Sequence, residues 1–115
     1  MRNDYKMKTM YTYIMAHIKN RLFYVGVTNN IKQRTFDHKN ATYGTHTGTY
    51  NIKQLVWFEE HDSPLKAIRR EKTIKKWKRD WKINLIESIN PEWNDLAADW
   101  NFDGFITSKE RFNKK

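Results

Sequence analysis

The sequence predicts an α/β domain. Three short runs rich in β-branched and aromatic residues, at 10–16, 22–28 and 52–60, alternate with helical patterns that begin near Ile31, Pro64 and Trp81. At 115 residues the chain makes one domain, large enough for a single core without staples. It has no cysteine, which excludes disulfides and thiolate zinc sites and sets a cytoplasmic expectation. No apolar run approaches the roughly 20 residues that span a bilayer, and "MRNDYKMKTM" lacks the apolar segment of a signal peptide, so no membrane partner is expected.

The elements follow in order. Residues 1–9 read as a charged extension before a domain over 10–96. "MYTYIMA" and "LFYVGVT" flank the polar "HIKNR", the pattern of an antiparallel hairpin. With an even loop, parity puts Tyr13, Tyr24 and Gly26 on one sheet face and Ile14, Phe23, Val25 and Val27 on the other. Cross-strand packing would by itself account for the two tyrosines. Gly26 inside a strand needs a reason, and such glycines mark a close approach of another backbone or a ligand. "TNN" supplies N-caps for a helix over 31–39, on which Ile31, Arg34, Thr35 and His38 share a face. Residues 40–50, "NATYGTHTGTY", form a polar loop that is either a substrate contact or a connector.

"IKQLVWFEE" gives the third strand, and Ser63 followed by Pro64 starts a strong helix over 64–79. A further helix over 81–89 stops before Pro91, with Asn90 held extended. Residues 97–115 read as a polar, basic, loosely held tail. No internal repeat interrupts this order.

The charge points to a partner. Twenty-two Lys and Arg against 13 Asp and Glu leave +9, with a pI near 9.8. Such an excess favours a polyanion, because each neutralised phosphate releases condensed counterions. Aromatic residues make up 15%, with five tryptophans set among the basic ones, which favours nucleic acid over an anionic membrane. On a wheel of the 64–79 helix, Lys72, Lys76 and Arg79 lie outward with Lys66 and Arg69, either as a phosphate-tracking row or as a solvated face. Trp77 and Trp81 are one turn apart, and core packing is expected of at least one.

The inward side of that wheel holds Ala67, Glu71, Ile74 and Lys78, flanked by Ile68 and Trp77. Glu71 is the lone acid in the apolar stripe, and a carboxylate there needs a cation, donors or a metal. Its partner is either structural, as Lys75 at i+4 or Arg34 across the domain, or functional, as a divalent ion.

Together these positions resemble the GIY-YIG nuclease superfamily, and small stand-alone proteins similar to the N-terminal nuclease domain of bacterial excinuclease C in particular. Tyr11-Thr12-Tyr13 and Tyr24-Val25-Gly26 correspond to the two motifs, with Arg34 and His38 on the next helix, Glu71 on the later one, and Asn90 in "INPEW". The chain departs from the pattern at Tyr11 and Thr12, where the family has Gly and Ile, and at Val27, where the excinuclease domain carries lysine.

The resemblance implies a small, central, mainly antiparallel three-stranded sheet flanked by helices. It also implies a metal-dependent endonuclease hydrolysing DNA phosphodiesters in repair, recombination or mobile-element biology. Single-stranded and branched DNA are among the candidate substrates, and no small-molecule cofactor is implied. Tyr13 and Tyr24 would position and deprotonate water, with Arg34 and the metal lowering the phenol pKa. Arg34 would neutralise the transition state, His38 would relay the proton by titrating near neutrality, and Glu71 would hold one Mg²⁺ or Mn²⁺. Gly26, Lys72, Lys76, Arg79 and Asn90 are the implied nucleic-acid contacts. The competing class is a non-catalytic nucleic-acid-binding domain on the same scaffold. A purely structural role ranks third.

Overall fold

The computed structural model describes residues 9–17, 22–41, 51–107 and 110–111. Strands β1 (Met10–His17), β2 (Leu22–Thr28) and β3 (Gln54–His61) form an antiparallel sheet in the order β2-β1-β3. Helices α1 (Ile31–Lys39), α2 (Pro64–Lys76) and α3 (Arg79–Ile89) complete the α/β fold that the sequence predicts. β1 takes the centre because it is the strand that can be covered on both faces: Thr12 to Ala16 are all buried. The expected 40–50 loop lies, from residue 42 on, outside the described residues. No helix among the described residues is long and apolar enough to cross a membrane.

Register decides what each face carries. Tyr13 pairs with Gly26, Ile14 with Val25 and Met15 with Tyr24. Ile14, Ala16 and Val25 therefore pack with Val56, Trp57, Ile74 of α2 and Ile86 of α3. Tyr13 and Met15 face the other way, onto Ile31 of α1, Ile52, Leu55 and Ala97. Helices α2 and α3 cover one face, and α1 with the chain around 96–102 covers the other.

An irregularity between Ile14 and Met15 shifts the β1–β3 pairing, so that Val56 has no partner on β1. This bulge lets the consecutive residues Val56 and Trp57 both join the core under α2 and α3, which a regular strand forbids. The Val56 carbonyl is taken by the side-chain amide of Asn90 at 3.0 Å. The same side chain donates to the Asn94 carbonyl at 2.9 Å and accepts from the Asn94 N–H at 2.9 Å. Asn90 is 3% exposed. Its expected contact with nucleic acid is corrected here: donors and acceptor alike are committed to the backbone that joins α3 to β3.

The caps predicted for α1 and α2 are present. Asn30 Oδ1 accepts from the Gln33 N–H at 3.1 Å, and Ser63 Oγ accepts from the Lys66 N–H at 3.2 Å, with Pro64 opening α2. The wheel drawn over 64–79 runs too far. α2 ends at Lys76, because Trp77 and Lys78 are extended (ψ 150° and 155°), and Arg79 opens α3. Arg79 thus leaves the α2 row and lies over the Phe23 ring, 4.9 Å from its centroid. Phe23 in turn stacks on Trp93. Trp93 sits at φ 57°, a left-handed conformation costing about 1–2 kcal/mol for a bulky side chain. Its burial and a 2.6 Å hydrogen bond from its indole N–H to Glu87 offset that cost.

The expected loose tail is also corrected, for residues 97–107. Ala97 is buried, Trp100 packs edge-on against Phe58, and Phe102 and Phe105 both pack against Phe36 of α1. A polar composition hid a sparse aromatic ladder that completes the second face of the sheet.

Candidate active site

Tyr13 and Tyr24 stand diagonally across β1 and β2 on the face that α1 covers, their ring centroids 6.2 Å apart. Gly26 lies beneath them. A Cβ there would sit 2.6 Å from Tyr13 Oη and 2.9 Å from a ring carbon of Tyr24. The close approach that the glycine permits in this structure is the Tyr13 phenol.

From the last turn of α1, His38 places Nε2 3.0 Å from Tyr13 Oη. Its ring also lies 5.0 Å from that of Tyr24. Two residues expected to work as an acid–base pair are therefore in direct contact. Their protonation differs from expectation. Tyr13, 1% exposed, has its pKa pushed above the ordinary phenol range by burial first and then by Tyr24, with Arg34 pulling the other way. Arg34 does not win, so Tyr13 stays a protonated hydrogen-bonding group. His38 is pulled down to about 4, by burial first and then by Arg34, with Asp37 opposing. It is neutral at pH 7, and the expected titration near neutrality is corrected.

Ile31, Thr35 and His38 form the buried face of α1, and Arg34 leaves that face for solvent. Its guanidinium remains close enough to act on both Tyr13 and His38. Glu71 comes from α2 with a mostly covered side chain, paired with Lys75 at 2.5 Å. Its charge also raises the Tyr13 pKa. The structure thus brings Tyr13, Tyr24 and His38 into contact over Gly26, with Arg34 and Glu71 in electrostatic reach. Lys72 and Lys76 are exposed on α2.

Two site-building residues escaped the sequence reading. Thr12 is fully buried, and its hydroxyl donates to the Ala67 carbonyl at 2.8 Å, tying the turn of α2 before Glu71 to the central strand. A polar residue where the strand pattern calls for an aliphatic one was the available signal. Asp95 accepts from the N–H groups of Leu55 (3.2 Å) and Ala97 (3.0 Å) and pairs with Lys39, joining the end of α1 to β3. Its turn-forming type, two residues before Ala97, was the only hint.

Among the described residues no three His, Cys, Asp or Glu groups converge as a metal cage. One carboxylate with open positions for water and phosphate oxygens is nonetheless a donor set that suits Mg²⁺, which keeps most of its water. Glu71 would offer such an ion one carboxylate, and in this structure that carboxylate is paired with Lys75.

Comparison with known proteins agrees with this geometry. The GIY-YIG catalytic domain matches residues 9–84. A UPF0213 protein of Clostridium perfringens is 36% identical over 78 residues, spanning 68% of this chain and 83% of that protein. One from Syntrophus aciditrophicus is 36% identical over 87 residues, spanning 75% and 98%. The solution NMR structure of a UPF0213 protein from Bacillus halodurans superposes with a TM-score of 0.50 at 24% identity, over 79% of this chain and 97% of that one, and so shares the fold.

Proposed function

Because the chain belongs to the GIY-YIG catalytic-domain family, whose UPF0213 members are small stand-alone proteins, we propose that it is a metal-dependent endonuclease that hydrolyses DNA phosphodiesters. Repair, recombination or mobile-element biology is the setting that suits such an activity. The observation that carries this reading is the Tyr24–Tyr13–His38 contact. Three groups able to pass a proton converge over a glycine whose lack of a side chain they require, and a binding domain has no use for that arrangement.

The roles follow from burial and charge. Tyr13, protonated and fixed, orients its neighbours rather than acting as the base. Tyr24, half-buried and the more open phenol, faces the attacking water and takes its proton as its own passes inward to Tyr13 and neutral His38. Water oxygen bonds to phosphorus, the bond to the leaving oxygen breaks, and that oxygen takes up a proton from solvent water, to which His38 later returns the one it received. Arg34 neutralises charge on the phosphate oxygens, with a planar fork that never titrates. Glu71 would hold a divalent cation, and such an ion when bound would polarise the scissile phosphate and stabilise the leaving oxygen.

The Glu71–Lys75 ion pair favours the second reading, a nucleic-acid-binding domain that keeps the scaffold without catalysis. One variant separates the two. Glu71→Gln keeps shape and hydrogen bonding while removing the charge that a cation requires. As a nuclease the variant folds, binds DNA and loses about 100-fold or more of Mg²⁺- or Mn²⁺-dependent cleavage, and only the parent gains melting temperature with metal. A variant that melts like the parent, beside a parent that neither cleaves nor responds to metal, would hand the site to the binding domain.

A further inference from the structure

We propose that Trp81, at the head of α3, is a stacking platform for a base of unpaired nucleic acid. The proposal rests on the nucleic-acid reading above and narrows its substrate to DNA with single-stranded nucleotides, such as flaps, gaps or frayed ends.

The first support is where the charge lies. Residues 66–82 carry nine Lys and Arg against two Asp and Glu, so seven of the nine net charges fall within 17 residues. Lys72, Lys75, Lys76, Lys78 and Arg79 are all exposed there. The second is the tryptophan itself. Trp81 is 56% exposed, although α3 has a core face built of Ile83, Leu85 and Ile86 that could have taken it. The ring is nevertheless held in place. It meets Trp77 edge to face at 5.9 Å, and Trp77 is itself fixed against the core with the Arg70 guanidinium 5.5 Å from its centroid. An exposed aromatic plate on a rigid mount loses little freedom when a second plate settles on it.

The break at Trp77 and Lys78 is what makes the arrangement possible. A continuous helix would run Trp77 and Trp81 along one stripe. The two extended residues instead let Trp77 remain against the core while Trp81 emerges into solvent. Within α3 the neighbours of Trp81 by spacing are Asn84 and Leu85, while Lys78 precedes the helix and Lys82 follows Trp81 directly.

Charge also identifies the partner's chemistry. The core of a protein–protein interface is depleted of lysine, whereas here Lys75, Lys76, Lys78 and Lys82 all lie within six residues of the aromatic. A ligand that alternates flat π faces with phosphates matches both features, and each stacked base contributes sequence-tolerant affinity. Duplex bases keep their faces inside the helix, so only unpaired nucleotides can use the ring.

The test is equilibrium binding in EDTA, which stops metal-dependent cleavage. Fluorescein-labelled oligothymidylate of about 15 nucleotides is compared with a fully paired duplex of about 30 base pairs, for the parent, Trp81→Ala, Trp81→Gln and Trp81→Phe. Trp81→Ala should weaken oligothymidylate binding roughly 10- to 100-fold with an unchanged salt slope, Trp81→Phe should restore most of it, and duplex binding should not move. Equal losses on both ligands, or no loss on oligothymidylate, overturn the platform. Thermal melts of the variants exclude a folding defect, and Trp81→Gln, which also lacks the ring and should lose oligothymidylate binding likewise, carries the test should the alanine variant fail to fold. Cleavage assays with Mg²⁺ on the same preparations keep the two readings apart. A parent that stacks oligothymidylate but never cleaves loses the nuclease and keeps the platform. A parent that cleaves beside a fully binding Trp81→Ala keeps the nuclease and loses the platform.

Discussion

His38 is neutral at pH 7 because charging it would bury an imidazolium beside Arg34, and that bias has a measurable sign. The unfolded chain binds a proton here at the ordinary 6.5, the folded chain only at about 4. Between those values the unfolded state holds more protons, so stability falls as pH drops through the window and the loss levels off below it. The full effect is about 3 kcal/mol. In His38→Gln, chemical denaturation at a series of pH values should show this slope gone between pH 6.5 and 4. Persistence of the slope would place its origin in another group. Cleavage by the parent should correspondingly show no break at the pH of a free histidine, since the imidazole is already in its accepting form. None of this was legible in the sequence. The spacing of Tyr13, Tyr24, Arg34 and His38 disclosed which groups meet, but a pKa depends on how deeply each is covered, and the cover around Tyr13 comes from residues as scattered as Ile31, Ile52, Leu55 and Ala97.

Segment by segment, the elements divide by how local their causes are. Strands β1 and β2 and the starts of α1 and α2 were readable because alternation, Asn30, Ser63 and Pro64 act within a few residues. The bulge at Val56 was not readable, since it exists only in the register of β3 against β1. Nor was the break at Trp77 and Lys78, where no proline or glycine announces an end and packing overrides propensity. Asn90 holds the bulged carbonyl of β3 from the end of α3. Asn90→Ala would leave the Val56 carbonyl buried without its side-chain donor and remove two part-buried bonds to Asn94, for a loss of about 2–3 kcal/mol. A urea melt should register it, while nucleic-acid affinity measured well below the transition should stay at the parent value. A drop in affinity with unchanged stability would return Asn90 to the binding surface.

Across the whole molecule, one face of the sheet bears the basic helices and the other bears the phenol–histidine cluster under α1. The charge face supplies attraction at a distance, so reversing Lys72 and Lys76 to Glu should weaken DNA binding and lower the slope of affinity against salt by about 1.5 on log–log axes, if each contacts one phosphate. Fluorescence anisotropy at several salt concentrations measures it, and an unchanged slope would move the contact surface off α2. The cluster face has a different dependence, on the chain beyond the matched domain. Gln33 of α1 donates to the Ile106 carbonyl at 3.0 Å, Phe36 rests on Phe102 and Phe105, and Lys39 is paired with Asp95. Contacts that join residues 33 and 106 close a loop of 73 residues in a chain of 115. On the ribosome, the helix that carries Arg34 and His38 emerges early and waits without its outer support until residues 95–106 follow. The groups proposed to cut DNA are therefore the last to be set in place as the protein is made, and a nascent chain passing close to nucleic acid presents its basic helices before it presents a finished site.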